Sequence, residues 1–407
     1  MSRRAWTAAL RGAVPTGASR ARRTWQRSCT IVAAAAAVVV IAAAGCAADG
    51  PRTVSPAASS PARSAAQPSP SGPRQVTVLG AGDVLVHPPV WQQARADGHG
   101  RMDFRDIFAG VRPAVSGADL AICHLETPLA GPGAAPRGWP RFAAPPQVLD
   151  AVRATGFDDC STASNHSYDQ GSAGVRDTLA ALDAAHLHHA GTARSAREAA
   201  RTDLIDVPGV RIADLSYTFG LNTGLSLPAG QPWLVNITDV HRILTAAHAA
   251  RAAGADIVLL SLHWGTEYRQ QPTDEQRAQA RTLLASPDVD AILGCHAHVV
   301  QPFQRIGGKW VVYGMGNEIA RHEDPIAASR EGVMPRLTFT ESADGHWRVS
   351  HVDAVPTWVD ISPKIRLVTL STALAGHPPA ARRSVYQREY DRIGAAVNAL
   401  GAHVPLA

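Results

Sequence analysis

Residues 255–268 read Ala-Asp-Ile-Val-Leu-Leu-Ser-Leu-His263-Trp-Gly-Thr-Glu267-Tyr268. The largely apolar stretch 255–262 predicts a buried strand, so the polar cluster that begins at His263 falls where that strand ends. A helix is predicted next at 274–285. A short strand follows at 291–294 and runs into Gly294-Cys295-His296-Ala297-His298. Working outward toward the N-terminus, the pattern gives a helix at 239–254, a strand at 210–217, a helix at 172–185, a short strand before Asn165, a helix at 145–155, and strands at 119–125 and 75–83. Toward the C-terminus it gives strands at 309–313, 333–340 and 347–354 and a helix at 382–400. Strands alternating with helices and then a strand-rich final third predict an α/β sandwich with mixed sheets. There is no internal repeat, no Gly-x-Gly-x-x-Gly after a strand and no Walker motif, so a nucleotide-fold reading has no support.

The chain has 407 residues, 45% hydrophobic and 18% charged, which allows a sizeable core and rules out wholesale disorder. The net charge of +5 misleads. Residues 1–74 hold ten arginines and one acid, Asp49, so 75–407 keep 29 basic and 33 acidic residues, a net charge of −4. A nucleic-acid-binding body would show a basic face instead. The arginines of residues 1–27, the fourteen apolar residues 31–44 and Ala43-Ala44-Gly45-Cys46 read as an export leader over 1–46. Fourteen is short of the roughly 20 residues that span a bilayer. The small residues before Cys46 resemble a lipobox, which makes Cys46 the expected lipidation site. Plain cleaved secretion and an uncleaved anchor are the alternatives. Residues 47–74, with six Pro, six Ser and seven Ala, are expected to be a tether to the envelope. Of the remaining cysteines, Cys123, Cys160 and Cys295, at most one disulfide can form, and small buried apolar roles are the favoured reading.

The side chains with metal-ligand chemistry cluster at predicted strand ends: Asp83, Glu126, Asn165 with His166, His263, and His296 with His298. Loops at the carboxyl ends of strands are where α/β folds build sites. Each piece alone is a common turn or a solvated His. Gly-x-His-x-His is stronger, because alternate residues of an extended segment point to one side. One Asp, one Glu, one Asn and several His suit Zn, Mn or Fe in the divalent state.

The order Asp … Glu … Asn-His … His … Gly-x-His-x-His resembles the calcineurin-like metallophosphoesterase superfamily, and its wording resembles the poly-γ-glutamate capsule-biosynthesis proteins of the CapA type. Ala163-Ser-Asn-His-Ser-Tyr-Asp-Gln-Gly171, His263-Trp-Gly-x-Glu267-Tyr268, Gly294-Cys-His-Ala-His-Val-Val-Gln-Pro302 and Tyr313-Gly-Met-Gly-Asn317 carry that likeness. The resemblance runs from about residue 76 to about 360. It implies a metallophosphoesterase-like α/β/β/α sandwich over 75–360, with 361–407 as a helical extension packed on it. It further implies one or two divalent metal ions. Asp83 and His298 would hold the first ion, Asn165, His263 and His296 the second, and Glu126 would bridge. His166 would be the acid-base residue, and Asn317 would line the site. Glu267 and Tyr268 would orient substrate or a water, or simply close their loop.

Two positions depart from that pattern. The superfamily begins Asp-x-His, and position 85 here is Leu. His87 lies about 13 Å further along a straight strand and reaches a metal only if the chain folds back at Pro88-Pro89. Where the branch has Asn-Leu-Glu, this chain has His124-Leu125-Glu126, so His124 is either a substitute ligand or a supporting residue. Residues 318–331, charged and aperiodic, are expected to form a mobile loop, either a lid or a solvated connection. The resulting expectation is an exported metal-dependent hydrolase-like protein acting on a surface polymer such as poly-γ-glutamate or on a phosphoester, with membrane attachment through the leader and no nucleic acid partner. A non-catalytic accessory role on the same fold is the main alternative, and a surface carbohydrate or anion receptor a third.

Overall fold

The computed structural model describes residues 73–322 and 326–407. The 1–46 leader with Cys46, and the tether as far as residue 72, lie outside the described residues. Fourteen strands are described: β1 Gln75–Val84, β2 Leu120–Leu125, β3 Asp159–Ser161, β4 His188–Ala190, β5 Ile205–Val207, β6 Val210–Thr218, β7 Ile257–His263, β8 Ala291–Cys295, β9 Phe303–Ile306, β10 Lys309–Val312, β11 Asn317–Ile319, β12 Glu331–Glu341, β13 Trp347–Asp360 and β14 Arg366–Thr369. They form two mixed sheets. One runs β14-β13-β12-β1-β2-β3-β4, with β11 also paired to β1, and the other runs β5-β6-β7-β8-β10-β9. In the first, β1 to β4 are mutually parallel and β12 to β14 antiparallel. In the second, β6, β7, β8 and β10 are parallel, with antiparallel edges.

Side-chain alternation along the strands explains the layering. Val78, Leu120 and Ile122 of the first sheet meet Ile257, Leu259 and Leu293 of the second in a core between the sheets. The opposite faces carry Leu79, Ala121 and Leu125 on one side and Val258, Leu260 and Ile292 on the other. Helices Val148–Thr155 and Gly171–Ala184 cover the first outer face, and Val240–Ala252 and Asp274–Leu284 the second. The helix at 274–284 starts on a capping box, Thr273 with Gln276, which satisfies two otherwise orphan backbone donors. The expected α/β/β/α sandwich with mixed sheets is the architecture observed.

Three expectations change. Residues 318–331 are not one mobile loop. Asn317–Ile319 forms β11, parallel to β1 in the register Asp83↔Asn317, and the two bounding acids Glu318 and Glu331 are buried. A three-residue strand inside a charged segment has no periodicity to reveal it. Cys123 and Cys160 are not two separate buried thiols. They face each other in the β2–β3 register, with Cα atoms 4.5 Å apart, and form a disulfide, while Cys295 is free and buried. Finally, the tail beyond residue 360 is more than helical: it adds β14 to the first sheet before helices Leu370–Ala375 and Ala380–Val397. Tyr386, Ile393 and Val397 of the last helix enter the inter-sheet core.

Candidate metal centre

The site residues gather where the parallel strands of both sheets end. Asp83 is aimed there by a bulge. The β1–β2 register runs Gly80↔Ile122 and then Asp83↔His124, so one extra residue turns Asp83 to the face that carries Ile122 and His124. The strand approaches β11 very closely at this point: a Cβ on Gly82 would lie 2.1 Å from the Gly316 carbonyl oxygen, so only glycine fits. Glu126 follows β2, Asn165 and His166 follow β3, His263 ends β7, and His296 and His298 follow β8. The last two converge for a reason other than strand alternation. β8 stops at Cys295, and His296 and His298 both adopt positive φ, 91° and 54°. The backbone therefore bends around the site, with the strain typical of functional loops.

Asp83, Glu126 and His263 are completely buried. Three groups of ligand atoms lie within 4.8 Å of one another: Asp83 with Glu126 and His298, Asp83 with His124 and His263, and Glu267 with His296 and His298. His298 Nδ1 is 3.2 Å from Asp83 Oδ2 and its Nε2 is 3.7 Å from Glu126 Oε1. Asn317 Oδ1 lies 3.0 Å from His298 Nδ1, and the Asn317 amide donates to the Ser329 carbonyl. His263 Nε2 is 2.7 Å from Asn165 Oδ1 and 4.0 Å from Glu126 Oε1. The His296 backbone N–H points at both Asp83 oxygens, at 3.3 and 3.4 Å.

The charges explain why the arrangement asks for a cation. Burial raises the Glu126 carboxyl well above its usual range, helped by the charge of Asp83. Burial would raise Asp83 too, but its hydrogen bond to His298 holds it low. Burial alone would lower the His298 imidazole, yet Glu126 and Asp83 drive it up to about 10. The remaining imidazoles are kept neutral, chiefly by burial: His124 falls to about 4, His296 to about 3 and His263 well below its ordinary value. Both Glu126 oxygens and His296 Nδ1 are buried with no hydrogen-bond partner. Buried polar atoms are rarely left in that condition. Carboxylates, neutral imidazoles and an amide oxygen with vacant lone pairs fit a divalent ion of the Zn, Mn or Fe type.

Around this floor stands a second set of residues. His166 Nδ1 is 2.6 Å from Asp169 Oδ2, and its ring meets Phe142 edge-on at 4.8 Å. Because the carboxylate accepts, Nδ1 carries the hydrogen and Nε2 is left free to take or give a proton. Asn222 joins His166, Asp169 and Asn165. Tyr268, about half exposed, packs 6.0 Å from the His298 ring, and half-exposed Phe219 packs 4.6 Å from that of His296. His87 joins none of the ligand groups. It caps the helix Pro88–Asp97, its Nδ1 lies 3.1 Å from the Leu85 carbonyl, and its ring rests against Phe142 and His322. Sequence reading missed Asp169, Ser161, Asn222 and Phe219. Asp169 sits inside the quoted Asn-His-Ser-Tyr-Asp motif, so its three-residue spacing from His166 was an available signal. The loop after β6 that carries Phe219 and Asn222 has no such mark.

Residues 77–322 match the family model described as "Bacterial capsule synthesis protein PGA_cap". That range is well over half of the chain and holds every residue of the three ligand groups. The chain belongs to this family. Within it, the chain is 29% identical over 173 residues to the capsule biosynthesis protein CapA of Bacillus anthracis, covering 42% of each chain. It is 28% identical over 208 residues to the PGA biosynthesis protein CapA of Bacillus subtilis (strain 168), covering 51% of this chain and 53% of that one. It thus spans about half the length of the curated relatives it matches. Among solved structures, it is similar to the calcineurin-like phosphoesterase YfkN from Bacillus subtilis, with 13% identity, a TM-score of 0.42, and coverage of 79% of this chain and 97% of that one.

Proposed function

We propose that this family member is an exported, envelope-anchored, metal-dependent hydrolase-like protein that acts in the biosynthesis of poly-γ-glutamate or a related capsule polymer. The observation that carries the reading is the pair of fully buried carboxylates, Asp83 and Glu126, whose ion-pair partners among the described residues are imidazoles, with both Glu126 oxygens unpartnered. Asp83 and His298 would hold one divalent ion and Asn165, His263 and His296 a second, with Glu126 available to both. When bound, such ions supply Lewis acidity and a hydroxide at neutral pH. His166, oriented by Asp169, would pass a proton through Nε2 to the leaving oxygen or nitrogen, a contribution of about 10²–10⁴ in rate. Glu267, Tyr268 and Asn317 border the ligands and orient what enters. The linkage attacked is either a phosphoester or the γ-glutamyl amide. Support for export comes from the leader and from the Cys123–Cys160 disulfide, since stable disulfides belong to oxidising compartments.

The alternative, a non-catalytic accessory protein for export or attachment of the polymer, draws support from the enclosure of the ligands. His296 and His298 expose only 5% and 4% of their surface, and Asp83, Glu126 and His263 none.

Elemental analysis of the purified full chain, compared with His263→Ala plus His298→Ala, tests the metal. Near-stoichiometric Zn, Mn or Fe that disappears in the double variant is expected, and no metal after reconstitution overturns the reading. Hydrolysis of bis(p-nitrophenyl) phosphate and of poly-γ-glutamate by the loaded protein then separates enzyme from accessory.

A further inference from the structure

Six polar side chains form one unbroken file through the site. Ser161 Oγ lies 2.8 Å from His124 Nδ1, His124 Nε2 lies 2.9 Å from His263 Nδ1, and His263 Nε2 lies 2.7 Å from Asn165 Oδ1. Asn165 Nδ2 then donates to Asn222 Oδ1 at 2.8 Å, and Asn222 Nδ2 to Asp169 Oδ1 at 3.1 Å. The far end supports one direction for these bonds. Asn222 Nδ2 lies near both Asp169 Oδ1 and, at 2.8 Å, His166 Nδ1, and with its amide nitrogen turned to that side its oxygen faces Asn165. Asn165 must in turn offer its oxygen to His263, whose Nε2 therefore carries the hydrogen. His263 Nδ1 is left with a lone pair aimed at His124.

His124 then has two neutral arrangements. In one, its Nε2–H donates to His263 and the Ser161 hydroxyl donates to its Nδ1. In the other, Nδ1–H donates to Ser161 Oγ, and the Ser161 hydroxyl turns to the Cys123 carbonyl, 3.4 Å away. That second arrangement sets two imidazole lone pairs against each other, with Asp83 Oδ1 only 3.8 Å from His124 Nε2. Such a cluster is repulsive unless a cation sits in it. Two ligands with bonds of about 2.0–2.1 Å stand about 2.9 Å apart at a right angle and about 3.3 Å apart at the tetrahedral angle, so a small opening of the pair admits an ion.

We infer that His124 is a metal ligand in this chain, forming with Asp83 and His263 a two-imidazole, one-carboxylate site whose tautomer is set by Ser161, while Asn165 accepts from His263 Nε2 instead of ligating that ion. This rests on the metal-dependent reading proposed above and deepens it. That donor set favours Fe²⁺ or Zn²⁺ over Mg²⁺. It also gives the histidine that replaces asparagine before Leu125-Glu126 a task, as position 85 supplies none. Ser161 is a positioning residue: its hydroxyl, 2.8 Å from His124 Nδ1, can either accept or donate there.

The test is titration of the full-length chain, stripped of metal, with Co²⁺ and separately Zn²⁺. The readouts are bound equivalents after dialysis and the visible Co²⁺ spectrum. His124→Asn and His124→Ala are expected to bind one equivalent fewer than wild type and to lose part of the Co²⁺ spectrum. Ser161→Ala, which removes a single oxygen and guards against a folding defect, is expected to weaken that same equivalent by about 10–100-fold. Unchanged equivalents and spectra in both His124 variants overturn the inference while leaving the metal reading intact. Absence of bound Co²⁺ and Zn²⁺ in wild type overturns both.

Discussion

Two of the acid pairs that the molecule buries are treated in opposite ways. Along the middle of the last helix, Glu331 and Glu389 are fully buried and are met by arginines: Arg392 pairs with Glu331 and lies 2.7 Å from Glu389, and Arg388 also reaches Glu389 at 2.7 Å. At the site, Asp83 and Glu126 are equally buried, and among the described residues their ion-pair partners are histidines. A guanidinium is a permanent cation with a fixed fork of donors. An imidazole can give up its proton and offer a lone pair instead. The helix therefore has its countercharge built in, whereas the site keeps a place for one that arrives from outside.

The contrast can be broken from either side. Removing the built-in cation with Arg392→Met should be the most damaging change, because it strands buried carboxylates. A loss of roughly 3–5 kcal/mol in denaturant unfolding is expected, with metal content per folded molecule unaltered. Neutralising the site instead, with Glu126→Gln, should weaken metal binding by at least about 100-fold, near 2.7 kcal/mol. The same change should raise the melting temperature of the metal-free protein, since an unpartnered buried carboxylate is gone. Calorimetric titration and a thermal melt of the stripped protein check the two halves, and a lower melting temperature would break the comparison.

A third buried pair sharpens it. Asp159 of β3 and Asp214 of β6 interact between the sheets, and among the described residues neither makes an ion pair with a cationic side chain. Burial pushes Asp214 up to about 7, and burial together with Asp214 raises Asp159 well above its usual range. The folded state thus holds protons that the unfolded chain releases near pH 4. Stability is full below that pH and declines as pH rises from about 4 through about 7. Asp214→Asn should reduce the loss between pH 5 and pH 8 by about 1–2 kcal/mol, read from unfolding curves at the two pH values.

How much of this was legible depended on whether a signal was local. Strands such as Gln75–Val84 and Ile257–His263 announce themselves by continuous burial, and the sandwich follows from their alternation with helices. Asp83, Glu126, Asn165, His263, His296 and His298 were readable as a set because each closes a strand. Long-range pairing was not readable. Asn317–Ile319 becomes a strand only because β1 lies beside it, and the Cys123–Cys160 link exists only because β2 and β3 align in register. The file from Ser161 to Asp169 was invisible for the same reason: its members come from four separate segments, and only the assembled strand ends bring their polar atoms within bonding distance.

The Cys123–Cys160 link closes a loop of 37 residues that contains the whole Glu126 segment and the exposed Trp139. A protease that nicks the chain anywhere in that loop would leave two pieces still joined. On a non-reducing gel the cut protein would run as a single intact band and would fall apart only when a thiol is added.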